Sequence, residues 1–187
     1  MSLQGIYFYC ARAVRFAAVV SLAWALWTVA RGRVKGRAFW LRLTLTFYLA
    51  TLLEITVLRG GRTLTCFWQL PHTMNTVIPR LLSTTRAQWR AGWWHFCYHA
   101  IGNLCWFLPL GFLAPQRWAR LRRFGPMLTV GAGLSLLIES MQWVLVTGTS
   151  DVDDLLWNTL GAVVGWLLWR LGQACRQLAQ RKKSRDV

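Results

Sequence analysis

The chain has 187 residues, of which 55% are hydrophobic, 14% aromatic with 13 Trp, and only 15% charged. A soluble domain of this size carries about 25% charged residues, so the composition excludes a disordered chain, a collagen-like repeat and an ordinary water-soluble fold. The net charge of +16 invites a nucleic-acid reading, but the basic residues punctuate apolar runs instead of coating one face, and nucleic acid is excluded as a partner.

Five apolar spans are predicted in chain order. The first runs from Ala13 to Ala30 and the second from Phe39 to Leu58. Such lengths, at about 1.5 Å per helical residue, cover a bilayer's hydrocarbon core. Thr28 and Ala30 are small residues of the kind found at a cleavage site, but Arg31, Arg33, Lys35 and Arg37 follow closely, which favours a retained anchor over a removed signal peptide. The third span, His95 to Ala114, carries Pro109; the fourth runs from Pro126 to Val146 and the fifth from Leu155 to Leu171. The fold class is therefore all-α, a polytopic membrane helix bundle with about five transmembrane helices. Residues 1–175 form the membrane domain and residues 176–187 a basic, solvated tail.

The segment from Arg59 to Trp94 mixes Trp68, Trp89, Trp93 and Trp94 with Arg and with Pro71 and Pro79. That mixture suits an interfacial or re-entrant piece at headgroup depth, or an ordinary aromatic belt. Fifteen basic residues fall on the side holding the 31–42 and 117–123 connections and the C-terminus, and seven on the other. The asymmetry predicts a cytoplasmic C-terminus and, with five spans, an N-terminus outside. The five cysteines show no C-x-x-C pair and no metal-ligand spacing, and read as small apolar filler. No metal or cofactor is expected.

The chain has six acids, and five of them, Glu54, Glu139, Asp151, Asp153 and Asp154, lie in or beside spans. An acid in hydrocarbon costs several kcal/mol unless it faces a partner or a wet cavity, so each is a candidate site residue. On the fourth span Gly131, Ser135, Glu139 and Gln142 share one helical face. On the fifth, Asp154, Asn158, Gly161 and Gly165 share another, and the G-x-x-x-G spacing admits a close neighbour. On the third, His95, His99 and Asn103 step by four. Because spans alternate in direction, these stripes and Glu54 all fall at the outer end, as a shared polar cavity requires. Competing readings are plain ones. Asn158 with Gln142 serves as packing glue, Glu54 pairs with Arg59 at the surface, and Asp153, about 100° around the helix from Asp154, is solvated or caps a helix.

Three blocks of this sequence also resemble the VanZ-like family of bacterial membrane proteins. They are Gly102-Asn103-Leu104-Cys105-Trp106-Phe107-Leu108-Pro109-Leu110-Gly111-Phe112, then Glu139 with Gln142, then Asp151-Val152-Asp153-Asp154 through Asn158-Thr159 to Gly161 and Gly165. The resemblance is best over residues 99–169, and Asn75 to Pro79 loosely resembles a further family motif. It implies a role in resistance to lipoglycopeptides of the teicoplanin type, and Asn103, Glu139, Gln142, Asp154 and Asn158 as the functional set. Many members carry an Arg shortly before the first Asp of the third block, where this chain has Thr147-Gly148-Thr149-Ser150; if that Arg binds an anionic group, this chain uses another one, such as Arg80, Arg86 or Arg90, or lacks the function. The leading expectation is a ligand site of His99, Asn103, Glu139, Gln142, Asp151, Asp154 and Asn158 that binds an amphiphile in the outer leaflet of the cytoplasmic membrane. The amphiphile is a lipoglycopeptide, a lipid-linked wall precursor or a phospholipid head. The alternatives are an intramembrane enzyme using Glu139 or Asp154 as acid or base, and a small transporter.

Overall fold

The computed structural model describes residues 3–32, 36–58 and 77–184. Six helices account for most of them: α1 (Leu3–Ala30), α2 (Gly36–Thr56), a short α3 (Ser83–Ala91), α4 (Trp93–Arg117), α5 (Phe124–Leu145) and α6 (Val152–Lys183). Two two-residue strands, β1 (Val77–Ile78) and β2 (Ser150–Asp151), pair in parallel with Val77 opposite Ser150 and Ile78 opposite Asp151.

In hydrocarbon each backbone and hydroxyl group must be satisfied within the protein. The threonines of the spans do this locally: Thr28, Thr44 and Thr51 donate to the carbonyls of Trp24, Trp40 and Phe47, one turn back, at 2.8, 3.0 and 2.8 Å. Large apolar side chains such as Leu26, Leu136 and Leu167 are exposed, as suits faces turned toward lipid acyl chains. The core lies inside, where Phe107, Met127, Ala162 and Trp166 pack between α4, α5 and α6.

Direction follows from the contacts. Gly161 of α6 faces the Leu104 carbonyl of α4 and Gly165 faces that of Leu108, so α4 and α6 run parallel. Ser135 of α5 meets Asn158, Gly131 meets Ala162, and Phe124 lies 5.6 Å from the Trp166 ring, so α5 and α6 run antiparallel. On the other flank α1 runs antiparallel to α2, with Arg12 beside Glu54 and Trp24 stacked on Phe39 at 5.7 Å. Tyr48 of α2 donates to the Trp106 carbonyl at 2.8 Å and ties this pair to α4.

Four helices, Cys10–Ala30 of α1, α2, α4 and α5, are long and apolar enough to cross a membrane. The expected fifth span, Leu155 to Leu171, falls outside that group because Asn158 and Arg170 dilute its apolar run. It nevertheless lies against α4 and α5 along their length, in the most extensive helix pair of the bundle. Residues 176–183 continue α6 without a break.

The parallel pair depends on missing side chains. A Cβ at Gly111, Gly161 or Gly165 would overlap a backbone carbonyl of the facing helix, whereas at Gly133 it would meet nothing within 4 Å. Gly161→Ala is expected to force α4 and α6 apart and cost about 2 kcal/mol or more, while Gly133→Ala is neutral or slightly stabilising. Thermal unfolding of both variants in one detergent checks this: equal midpoints would show that the approach is not tight.

Candidate functional site

A helix start concentrates free amides and the positive end of the macrodipole, and therefore favours carboxylates. α6 has three at its start, and each serves a different element. Asp151 is the N-cap: its Oδ1 accepts the Asp153 amide at 2.9 Å, and its own amide donates to Glu139 Oε2 at 2.8 Å. Asp153 reaches away from its own helix and accepts the amides of Leu82 and, at 2.8 Å, Thr85. It thereby caps α3, which has no side-chain cap of its own. Asp154 accepts Asn103 Nδ2 and lies 3.4 Å from His99 Nδ1.

Asp153, expected to be solvated or capping, is wholly buried at 0% exposure. Its offset of about 100° from Asp154 turns it toward α3, which folds over this end of the bundle. Leu82, whose amide it receives, has a left-handed backbone at φ 60; that conformation costs a non-glycine residue about 1–2 kcal/mol. Thr85 also accepts Trp157 Nε1 at 3.0 Å, and Phe96 packs edge-on between Trp89 and Trp157. α3 is thus pinned by a buried carboxylate, an indole and an aromatic cluster, while Arg86, Trp89 and Arg90 remain exposed. The interfacial expectation for residues 59–94 fits this described part; residues 59–76 lie outside the described residues.

The third-span stripe is corrected at its first member. Cys97–Ile101 form a π-helical turn inside α4, and its extra residue breaks the four-residue stepping. His95 is left exposed, while His99 and Asn103 both reach Asp154. Glu54 is also corrected. It is buried and paired with Arg12, 2.6 Å away, whose Nη2 also donates to the Leu58 carbonyl at 3.1 Å. The expected partner Arg59 lies outside the described residues.

The two amides do not bond each other. Gln142 Nε2 donates to the Thr56 carbonyl at 3.0 Å, joining α5 to α2, and Asn158 Nδ2 donates to Ser135 Oγ at 2.9 Å, joining α6 to α5. The polar end therefore has an upper layer of His99, Asn103, Glu139 and the three aspartates, and a second set of cross-helix amide bonds. Arg80, Arg86 and Arg90, the candidate replacements for the absent Arg, are exposed.

The model of the VanZ/LLP1 family matches residues 45–173. The chain belongs to the VanZ/LLP1 family. No curated protein and no solved structure matches it. The family region begins within α2 and ends in α6, so it takes in Glu54, both strands, α3 and each of the seven expected site residues of this VanZ/LLP1 chain, and omits α1.

Ligand-type atoms of His99, Asp151 and Asp153 lie within 4.8 Å of one another, and His99 Nε2 is buried without a hydrogen-bond partner among the described residues. A nitrogen and two carboxylates are donors that a divalent ion such as zinc or manganese accepts. The sequence showed no such spacing because the nitrogen comes from the π turn of α4 and the oxygens from the start of α6. Other contributors also escaped the sequence reading: Ile78, which holds Asp151 through the strand pair, and Leu82 and Thr85, which receive Asp153 through backbone amides. Only the Asn75 to Pro79 motif pointed toward this loop.

Asp153→Ala would strand two part-buried amides, at about 1 kcal/mol each. Hydrogen exchange is expected to accelerate through Leu82 to Ala91 while residues 104–112 stay protected. Unchanged exchange at Leu82 and Thr85 would show that the cap does not hold α3.

Proposed function

We propose that this VanZ/LLP1 chain binds an amphiphile at the polar end of its bundle, in the outer leaflet of the bacterial cytoplasmic membrane, and so contributes to tolerance of lipoglycopeptides of the teicoplanin type. The ligand is the antibiotic itself, a lipid-linked wall precursor or a phospholipid head. One observation carries the reading. Polar side chains of α4, α5 and α6 and the Thr56 carbonyl at the end of α2 meet at one end of the bundle, beneath a short helix that offers Arg86, Trp89 and Arg90. Guanidinium groups suit phosphate or carboxylate, indole rings suit the interface, and Glu139 and Asp154 suit amines or sugar hydroxyls. Membership of the family supports a link to resistance.

The fifteen-to-seven basic asymmetry orients this end outward, with the N-terminus outside and the C-terminus cytoplasmic. Externally added impermeant thiol reagent is expected to label a cysteine placed at Thr149 and to spare one at Arg122, both exposed positions, in a background whose native cysteines are replaced. The reverse pattern overturns the orientation.

Glu139→Gln and Asp154→Asn keep size and most hydrogen bonding, and therefore test charge. At matched membrane levels in a sensitive host, each is expected to reduce antibiotic tolerance to that of cells lacking the protein. Parental tolerance in both variants would reduce these acids to helix packing.

A second reading, an intramembrane enzyme, is favoured by the His99–Asp154 pair, an imidazole and a carboxylate 3.4 Å apart, residue types suited to acid–base work. Mass spectrometry of lipids and antibiotic after exposure to expressing cells separates the two: a covalent change indicates the enzyme, and unaltered copurified ligand the binder.

A further inference from the structure

The opposite end of the bundle carries a cavity of different chemistry. A cavity of about 910 Å³ lies between the start of α2, the end of α4 and the C-terminal half of α6. Six arginines line it: Arg37 and Arg42 from α2, Arg117 and Arg122 from the α4 end and its following turn, and Arg170 and Arg176 from α6. Gln116, Gln173 and Gln177 add amide groups, and among the described residues no acid lines the cavity. On the helices that line it the described acids stand at the far ends, Glu54 on α2 and Asp153 and Asp154 on α6. All six are exposed; Arg117 and Arg170 lie over the Trp118 and Trp166 rings and Arg122 Nε donates to the Pro115 carbonyl. Six like charges around one open cavity repel one another, and an anion bound there relieves that repulsion.

A neighbouring groove decides what kind of anion fits. It encloses about 400 Å³ and is lined by Trp24, Trp27, Leu45, Leu49 and Trp118, with Thr28 and Thr46 between them. It shares Arg42 and Arg117 with the arginine cavity. Thr28 turns its hydroxyl inward to the Trp24 carbonyl at 2.8 Å, so the groove presents mainly apolar surface. A charged chamber opening at two arginines into an apolar groove, both at the ends of membrane-crossing helices, has the head-and-tail pattern of a phospholipid at headgroup depth.

We infer that this end is a binding site for an anionic phospholipid, its phosphate held in the arginine chamber and the start of an acyl chain in the Trp24–Leu49–Trp118 groove. The site lies at the other end of the bundle from the amphiphile site proposed above and does not rest on it. Planar guanidiniums bind phosphate in bidentate pairs, and an array of six accommodates a headgroup with one or two phosphates.

The test uses the full chain, delipidated in detergent and then exchanged into nanodiscs of phosphatidylcholine doped with either phosphatidylglycerol or cardiolipin, with retained lipid read by native mass spectrometry. The parent is expected to retain the anionic lipid at least about tenfold over phosphatidylcholine, and Arg42→Gln with Arg176→Gln to lower that preference about tenfold. Neither arginine of this pair has a hydrogen bond or ring contact among the described residues, so folding is spared. A control with Arg181→Gln and Lys182→Gln, outside the cavity, is expected to keep the preference. Leu49→Trp, which fills the groove, is expected to release the lipid while leaving binding of inorganic pyrophosphate unchanged. Pyrophosphate that binds the parent with no anionic-lipid preference would replace the lipid by a free phosphorylated ligand and overturn the proposal. So would equal retention of all lipids, or equal losses from the cavity and tail variants, which would reduce the effect to diffuse charge.

Discussion

The parallel approach of α4 and α6 is the constraint on which the rest depends. Two helix backbones touch where Gly111, Gly161 and Gly165 lack side chains, and in lipid such contact rests on dispersion and shape instead of on the hydrophobic effect. Parallel neighbours in one membrane need a third helix to return the chain, and α5 does so while bonding α6 through Ser135 and Asn158. The parallel arrangement also brings the starts of α4 and α6 to the same end. That is why His99 and Asn103 find Asp154, although 51 positions separate Asn103 from it.

Charge is sorted along the bundle as a result. Carboxylates occupy the end where α6 begins, where they receive free amides from α6, from α3 and from the strand pair. Arginines occupy the end where α4 and α6 pass out of the packed core. The aspartates match the start of α6, since helix starts attract anions, whereas Glu54 and Glu139, near the ends of α2 and α5, are held by Arg12 and by the Asp151 amide. The carboxylate end and the arginine cavity therefore depend on one packing arrangement and differ in the sign of the charge they carry.

Much of this was legible from residue types. Length and apolarity gave the spans, the G-x-x-x-G spacing gave the close helix, and the rarity of acids gave the polar end. The motif blocks gave the family before any contact was known. What escaped was of two kinds. Helical stepping assumes a regular turn, and the π turn at Cys97–Ile101 broke that assumption for His95. Partners contributed by backbone have no sequence signature, and among the described residues the Asp153 carboxylate binds only backbone amides. From the sequence it reads as solvated or capping; it does cap, but the helix it caps is the nine-residue α3 docked over it and not its own. Arg12 escaped because nothing in the order of residues links it to Glu54, 42 positions on.

The cap on α3 has a bearing on how the protein is made. α3 precedes its capping carboxylate by about seventy residues of chain, a separation of 71 between Leu82 and Asp153. During synthesis from the N-terminus, α1 through α5 emerge first, and at that stage Leu82 and Thr85 have no carboxylate to receive their amides. The left-handed turn at Leu82 likewise gains its tether only when α6 arrives. The last helix to leave the ribosome therefore closes the polar end and seats the helix that covers it, so that a chain interrupted before residue 152 holds most of the membrane spans and none of the finished site.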